Sequence, residues 1–182
     1  MNISSFALKL TAIAAAAVLA VSATSPASAH FGVSASSTAA GSYTLLTFSS
    51  GHGCDGSAWN EVAIQIPDSI AVVRPAMKAG WTIETTAEES TNAEGEAVEK
   101  VTSITFTASA PEFVVPEHFY DDFRVQVQLP ATVGEVLYFP LVQTCEVGEN
   151  PWIEIPAEGQ DGEELEYPAP SITITEAVEE SR

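Results

Sequence analysis

Apolar and polar residues alternate with a period of two along several short segments, and this pattern restricts the chain to strands that bury one face. Val62, Ile64 and Ile66 share one face of a segment, Ile104, Phe106 and Ala108 share one face of another, and Val125, Val127 and Leu129 are spaced by Gln126 and Gln128. Tyr43 to Phe48, Trp81 to Thr85, Glu135 to Val142 and Ser171 to Thr175 are further strand candidates. Turn-forming stretches such as Gly51 to Gly56 and Pro67-Asp68 separate them. No sustained helical stripe competes with this pattern. Seven or more short strands with no alternating helices predict an all-β fold, an antiparallel sandwich or barrel.

Two acidic segments interrupt the alternation, Glu84 through Glu99 and Glu158 through Glu166. Both read as solvated hairpin tips or loops. The first holds Thr, Asn, Ala and Glu without bulky apolar residues, which predicts a flexible surface loop rather than a binding arm. The charged residues 176–182 are expected to form a disordered tail.

The N-terminal stretch carries Lys9, an apolar run from Leu10 to Val21, and small residues ending in Ala27-Ser28-Ala29. This is the layout of a secretory signal peptide, Met1 to Ala29, with an A-x-A cleavage site. The run is too short to cross a bilayer core of about 30 Å, which takes roughly 20 apolar residues in a helix. No second apolar stretch follows, so no retained transmembrane helix is expected. Cleavage leaves 153 residues beginning at His30, a size suited to one domain, here 30–175, outside the cytoplasm. It also removes one positive charge from a chain of formal charge −19. Such an acidic surface repels nucleic acid and anionic lipid and attracts cations, although many acidic proteins are simply soluble.

Cys54 and Cys145 both lie in the exported part, where a disulfide persists, and we expect them to pair. Closing a separation of 91 residues stabilises by roughly 4 to 5 kcal/mol in the chain-entropy picture. The rival reading, soft metal ligands, lacks a further Cys or a close His pair to complete a site.

The chain has no G-x-S-x-G, H-E-x-x-H, phosphate loop or dinucleotide fingerprint. With only His30, His52 and His118, a general base with partners is hard to nominate, and no enzyme is expected. His30 differs from the other two, because cleavage after Ala29 would put a free α-amine beside its own imidazole. The two nitrogens form a chelate that suits Cu(II), which prefers tetragonal nitrogen and oxygen donors and heads the divalent affinity series; a carboxylate would complete the set. A histidine at a cleavage site also arises by accident, and the residues alone leave both readings open.

The chain resembles the YcnI-like proteins, exported copper-binding domains also catalogued as a domain of unknown function. The resemblance rests on His30-Phe31-Gly32-Val33, on Gly53-Cys54-Asp55-Gly56-Ser57 leading to Val62-Ala63-Ile64-Gln65-Ile66-Pro67, and on Gly80-Trp81. It continues in Pro116-Glu117 ahead of Phe123, and in Phe139-Pro140-Leu141-Val142-Gln143-Thr144-Cys145-Glu146-Val147-Gly148 followed by Trp152. It implies a β-sandwich of cupredoxin-like or immunoglobulin-like form holding one Cu(II) in a monohistidine brace. His30 would supply the amine and Nδ1, Glu117 the carboxylate, and the Trp152 indole would close the axial side. The resemblance also supports the Cys54–Cys145 pair. It implies a role in copper buffering, trafficking or delivery at the cell envelope, with a copper-transfer or copper-import protein as partner.

Each residue has a plainer reading. Glu117 is otherwise a solvated loop carboxylate, with Glu112 five residues earlier as its competitor. Trp152 is otherwise a packing residue, as Trp81 is expected to be. His52 reads as a turn residue, and His118 should point away from Glu117 if the segment is extended. Ala58-Trp59-Asn60-Glu61 departs from the family pattern and is expected to alter a surface strand. The alternative function is a metal-free adhesion or interaction domain of the cell envelope; copper-dependent oxidation is weaker, because it needs a second histidine in the site.

Overall fold

A computed structural model describes residues 30–91 and 95–177. The expected signal peptide and residues 178–182 of the expected tail lie outside the described residues. The strands in chain order are β1 (Gly32–Ala35), β2 (Tyr43–Ser50), β3 (Trp59–Gln65), β4 (Val73–Pro75), β5 (Trp81–Thr91), β6 (Ala97–Ala108), β7 (Asp121–Gln128), β8 (Val136–Tyr138), β9 (Leu141–Cys145), β10 (Glu149–Trp152) and β11 (Ser171–Thr173). They form one sheet in the order β1-β2-β7-β4, a second in the order β10-β9-β3-β6-β5, and a short pair β11-β8. Every ladder between these strands is antiparallel.

The two larger sheets form a sandwich, and Phe123 joins them. From β7 its ring meets Trp59, Trp81 and Phe106 of the facing sheet at centroid distances of 5.7, 4.8 and 5.0 Å. The alternation in the sequence is what builds this interface. Val62 and Ile64, Ile104 and Phe106, and Val125 and Val127 are all buried, while Arg124 and Gln126 on β7 are exposed. Trp59 is fully buried against Phe31, Trp81 and Phe123, so the Ala58–Glu61 departure contributes to the core and is not a surface change. A large side chain starting a strand with its face inward gains more by burial, about 3 kcal/mol, than a surface position offers.

Two expected elements differ in the structure. Glu135 to Val142 is not one strand but β8 and β9, divided around Phe139-Pro140, because proline has no N–H to give a ladder. Of the two readings of the acidic stretch from Glu84, a solvated hairpin and a flexible loop, its described residues take the first. It is the distal part of a long β5–β6 hairpin whose register runs from Trp81↔Ala108 to Thr91↔Ala97. The residues there are exposed, so their charges are not desolvated, and the β-branched Thr85, Thr86, Thr91 and Val98 favour extended backbone. Glu88 faces Lys100 across the pair, and Lys100 also reaches Asp68 at 2.8 Å. The second acidic segment is a loop with a short 3-10 turn at Gly162–Glu164.

Candidate metal centre

His30 precedes β1, and its place is set by its neighbour. Phe31 is buried against Trp59 at 6.0 Å, which anchors the start of the domain in the core. The β1–β2 register pairs Gly32 with Ser49.

Trp152 closes β10 at the edge of the second sheet and is 3% exposed. Three rings surround its indole: His30 at 5.6 Å, His52 at 6.2 Å and Tyr167 at 5.2 Å, all close to edge-on. A buried polar network lies beneath it. Gln143 sits on β9 at an inward position between Leu141 and Cys145 and has no exposure. Its Oε1 accepts from Asn150 Nδ2 at 3.1 Å and from Trp152 Nε1 at 3.4 Å. Its Nε2 donates to the His52 carbonyl at 2.8 Å. Asn150 faces Gln143 in the β9–β10 register and also donates to the Gly53 carbonyl at 3.2 Å. Each buried amide therefore has a partner, as burial demands.

The disulfide is present between Cys54 and Cys145, tying the segment before β3 to the end of β9. It stands beside a tight two-residue turn, Asp55-Gly56, in which both residues have positive φ, 45° and 90°. Cys54 and Ser57 exchange two backbone hydrogen bonds around it, at 3.2 and 2.8 Å. Asp-Gly is the sequence such a turn favours.

Glu117 follows Val115, which exchanges backbone hydrogen bonds with Trp59 at 3.0 and 2.9 Å. The Glu117 carbonyl accepts from the Gly53 N–H at 3.1 Å, one residue from His52. Its Oε2 is buried and has no hydrogen-bond partner among the described residues. With Pro116, Asp55, Gly56 and Glu146 it lines a cleft of about 620 Å³, whereas His30 lines a separate cleft of about 340 Å³ with Tyr138, Pro156 and Asp161. Neither cleft is lined by Lys or Arg. The competing Glu112 and His118 are both exposed.

Of the expected site, the structure thus brings His30 and Trp152 together and leaves Glu117 across the Gly53 backbone, on its own cleft. Among the described residues no three His, Cys, Asp or Glu side chains converge as a set able to hold a metal. A brace does not need such a set, since two of its donors belong to one residue. In the 182-residue chain, however, the His30 nitrogen is an amide bonded to Ala29, and only cleavage makes it an amine. His52, Gln143, Asn150 and Tyr167 were not anticipated at this centre. A signal for Gln143 did exist, as an amide occupying an inward-facing position in the alternation Leu141, Gln143, Cys145.

Fold and cross-link together define a disulfide-tied antiparallel β-sandwich domain of immunoglobulin-like form. Residues 30–174 match the family described as "Domain of unknown function (DUF1775)", and the chain belongs to that family. Among solved structures it is similar to an uncharacterized protein from Nocardia farcinica whose crystal structure reveals an immunoglobulin-like fold. The two are 28% identical with a TM-score of 0.64, over 81% of this chain and 99% of that one. No curated protein matches the chain. No helix among the described residues is long and apolar enough to cross a membrane.

Proposed function

We propose that the chain is exported, is cleaved to begin at His30, and then binds one Cu(II) for buffering, trafficking or delivery at the cell envelope, without catalysing a reaction. The observation that carries this reading is the contact between the His30 ring and the buried Trp152 indole. A merely accidental terminal histidine would have no reason to be seated on a buried aromatic. The donor set also fits the ion. An amine and an imidazole from His30 provide the nitrogen chelate that Cu(II) favours, and Glu117, on the neighbouring cleft across the Gly53 backbone, offers a carboxylate that would have to reach the ion from there, its buried Oε2 having no partner among the described residues. A buried, unpartnered carboxylate oxygen is costly unless a cation or donor compensates it. Trp152 would cover one side of the ion and exclude water there. No Lys or Arg stands in the lining of either cleft to pair with its carboxylates in place of a metal ion.

Because amine and imidazole must shed protons to ligate, affinity falls on acidification. The test is a Cu(II) titration of protein beginning at His30, set against the same protein carrying one extra N-terminal residue. A tight site in the first form only is the expected result, and His30→Ala should abolish it. Equal weak binding by both forms overturns the brace and favours a metal-free interaction domain.

A further inference from the structure

We propose that the outer edge of β5 takes up an extended, lysine- or arginine-bearing segment of a partner protein as an added strand, whether or not a metal is bound at His30. The fold itself singles out this edge. β5 is the last strand of its sheet and runs for 11 residues, Trp81–Thr91, without a proline. The other outer strands of the two large sheets are short: β1 and β10 have 4 residues and β4 has 3, and β4 and β10 contain Pro75 and Pro151. Short edge strands and edge prolines are how sheets refuse an extra strand. β5 has neither device.

Its backbone is also free to pair. The Ser109 N–H donates to the Gly80 carbonyl at 2.9 Å, and in an antiparallel ladder such bonded pairs alternate with unbonded ones. The register then runs from Trp81↔Ala108 to Thr85↔Ile104 without interruption, so the amide and carbonyl groups of Ile83 and Thr85 point away from β6. Among the described residues, none outside the β5–β6 hairpin bonds to the β5 backbone beyond Trp81. Glu84 through Glu89 are exposed on both faces of the strand.

Charge decides the occupant. β5 carries Glu84, Glu88 and Glu89, and Glu89 stands directly opposite Glu99 of β6, a like-charge pair that disfavours the hairpin. Lys100 is the only Lys or Arg from Trp81 to Ala108, and it is also engaged by Asp68 at 2.8 Å. A strand with lysine or arginine laid beside Glu84, Glu88 and Glu89 gains cross-strand pairs of opposite charge and relieves the Glu89–Glu99 repulsion. A second copy of the chain would instead set these carboxylates against their own counterparts, so the edge repels self-association and accepts a basic segment. Main-chain hydrogen bonds supply the affinity, and the acidic side chains select the sequence.

The experiment is binding of a short synthetic peptide that alternates lysine with valine to the purified protein, read by fluorescence anisotropy and by amide hydrogen exchange in nuclear magnetic resonance. The control is the same peptide N-methylated at every residue, which keeps the charge and removes strand pairing. The plain peptide should bind and slow exchange at Ile83 and Thr85, and the methylated one should bind at least about tenfold more weakly. The triple variant E84K/E88K/E89K should lose at least about tenfold in affinity for the plain peptide. No binding, equal binding of the two peptides, or protection away from β5 overturns strand addition. Binding that survives the charge reversal overturns the basic partner. A dimer in sedimentation without peptide, with the Ile83 and Thr85 amides protected, overturns the choice of occupant in favour of a second copy. Should the triple variant fail to fold, as judged by circular dichroism, the two peptides on the unaltered protein decide alone.

Discussion

Replacing Gln143 by leucine removes, at nearly constant volume, the amide that connects the His52 loop to Trp152. The substitution deletes three hydrogen bonds, to the His52 carbonyl at 2.8 Å, from Asn150 at 3.1 Å and from Trp152 Nε1 at 3.4 Å. Two of the partners keep another bond. The His52 carbonyl retains Ser50 Oγ, and Asn150 Nδ2 retains the Gly53 carbonyl. The Trp152 N–H is left without a partner on a residue only 3% exposed. Each lost bond is worth about 0.5–1.5 kcal/mol, and a stranded buried donor costs about 1–3 kcal/mol. The burial of leucine in place of a polar amide offsets part of this, giving a net loss of about 2–4 kcal/mol. For a domain near 150 residues that corresponds to a fall in Tm of roughly 5–15 °C. Urea unfolding of oxidised protein should show a lower midpoint with an unchanged slope. A double-mutant cycle with Asn150→Leu should show coupling of at least about 0.5 kcal/mol, because both side chains belong to one network. A Gln143→Leu change within about 0.5 kcal/mol of wild type, or strictly additive effects in the cycle, would refute the stabilising role assigned to this network.

Further outcomes follow from the same structure. Free-thiol titration of the unreduced, denatured protein should find no reactive thiol; removing Cys54 and Cys145 together should cost roughly 4–5 kcal/mol in urea unfolding, while two reactive thiols would contradict the disulfide. Gly53→Ala should cost more than about 2 kcal/mol, since a Cβ there would meet the Ser57 backbone oxygen at 1.9 Å; Gly51→Ala, with nothing within 4 Å, should stay within about 0.5 kcal/mol and serves as the control. Glu117→Gln should leave metal-free thermal stability unchanged or higher, because it removes a charge whose Oε2 is buried without a partner, yet weaken Cu(II) binding. A marked loss of metal-free stability in that variant would mean that Glu117 is structural. Phe123→Ala should cost about 3–5 kcal/mol by calorimetry, since this one ring bridges the two sheets; a loss below 1 kcal/mol would show that the facing aromatics collapse into its space.

Much of the fold was legible because alternation acts locally. Val62 and Ile64, or Val125 and Val127, take the same face whatever their strand pairs with, and that face proved to be the core. The misreadings arose where composition and pairing compete. The Thr- and Glu-rich stretch after Trp81 has too few apolar residues to look like a strand, and becomes one because β6 pairs along it as far as Thr91↔Ala97, with one irregularity between Thr86 and Ala87. Trp59 looked like a surface departure because a single residue beside Ala58 and Asn60 carries no periodicity of its own. Its burial follows from β3 lying at the centre of its sheet, between β9 and β6.

By itself the sequence determined several of the strands, such as those around Val62, Ile104 and Val125, and the faces they bury, the two cysteines able to pair, and a histidine that a signal-type cleavage site would expose. Only the tertiary structure decided that His30, His52, Gln143 and Tyr167 meet at one indole, with Asn150 bonded to Gln143 behind it. The reason is geometric: a period of two says which side of a sheet a side chain takes, while the neighbours it finds there depend on sheet order and register, which are settled by contacts between residues far apart in the chain.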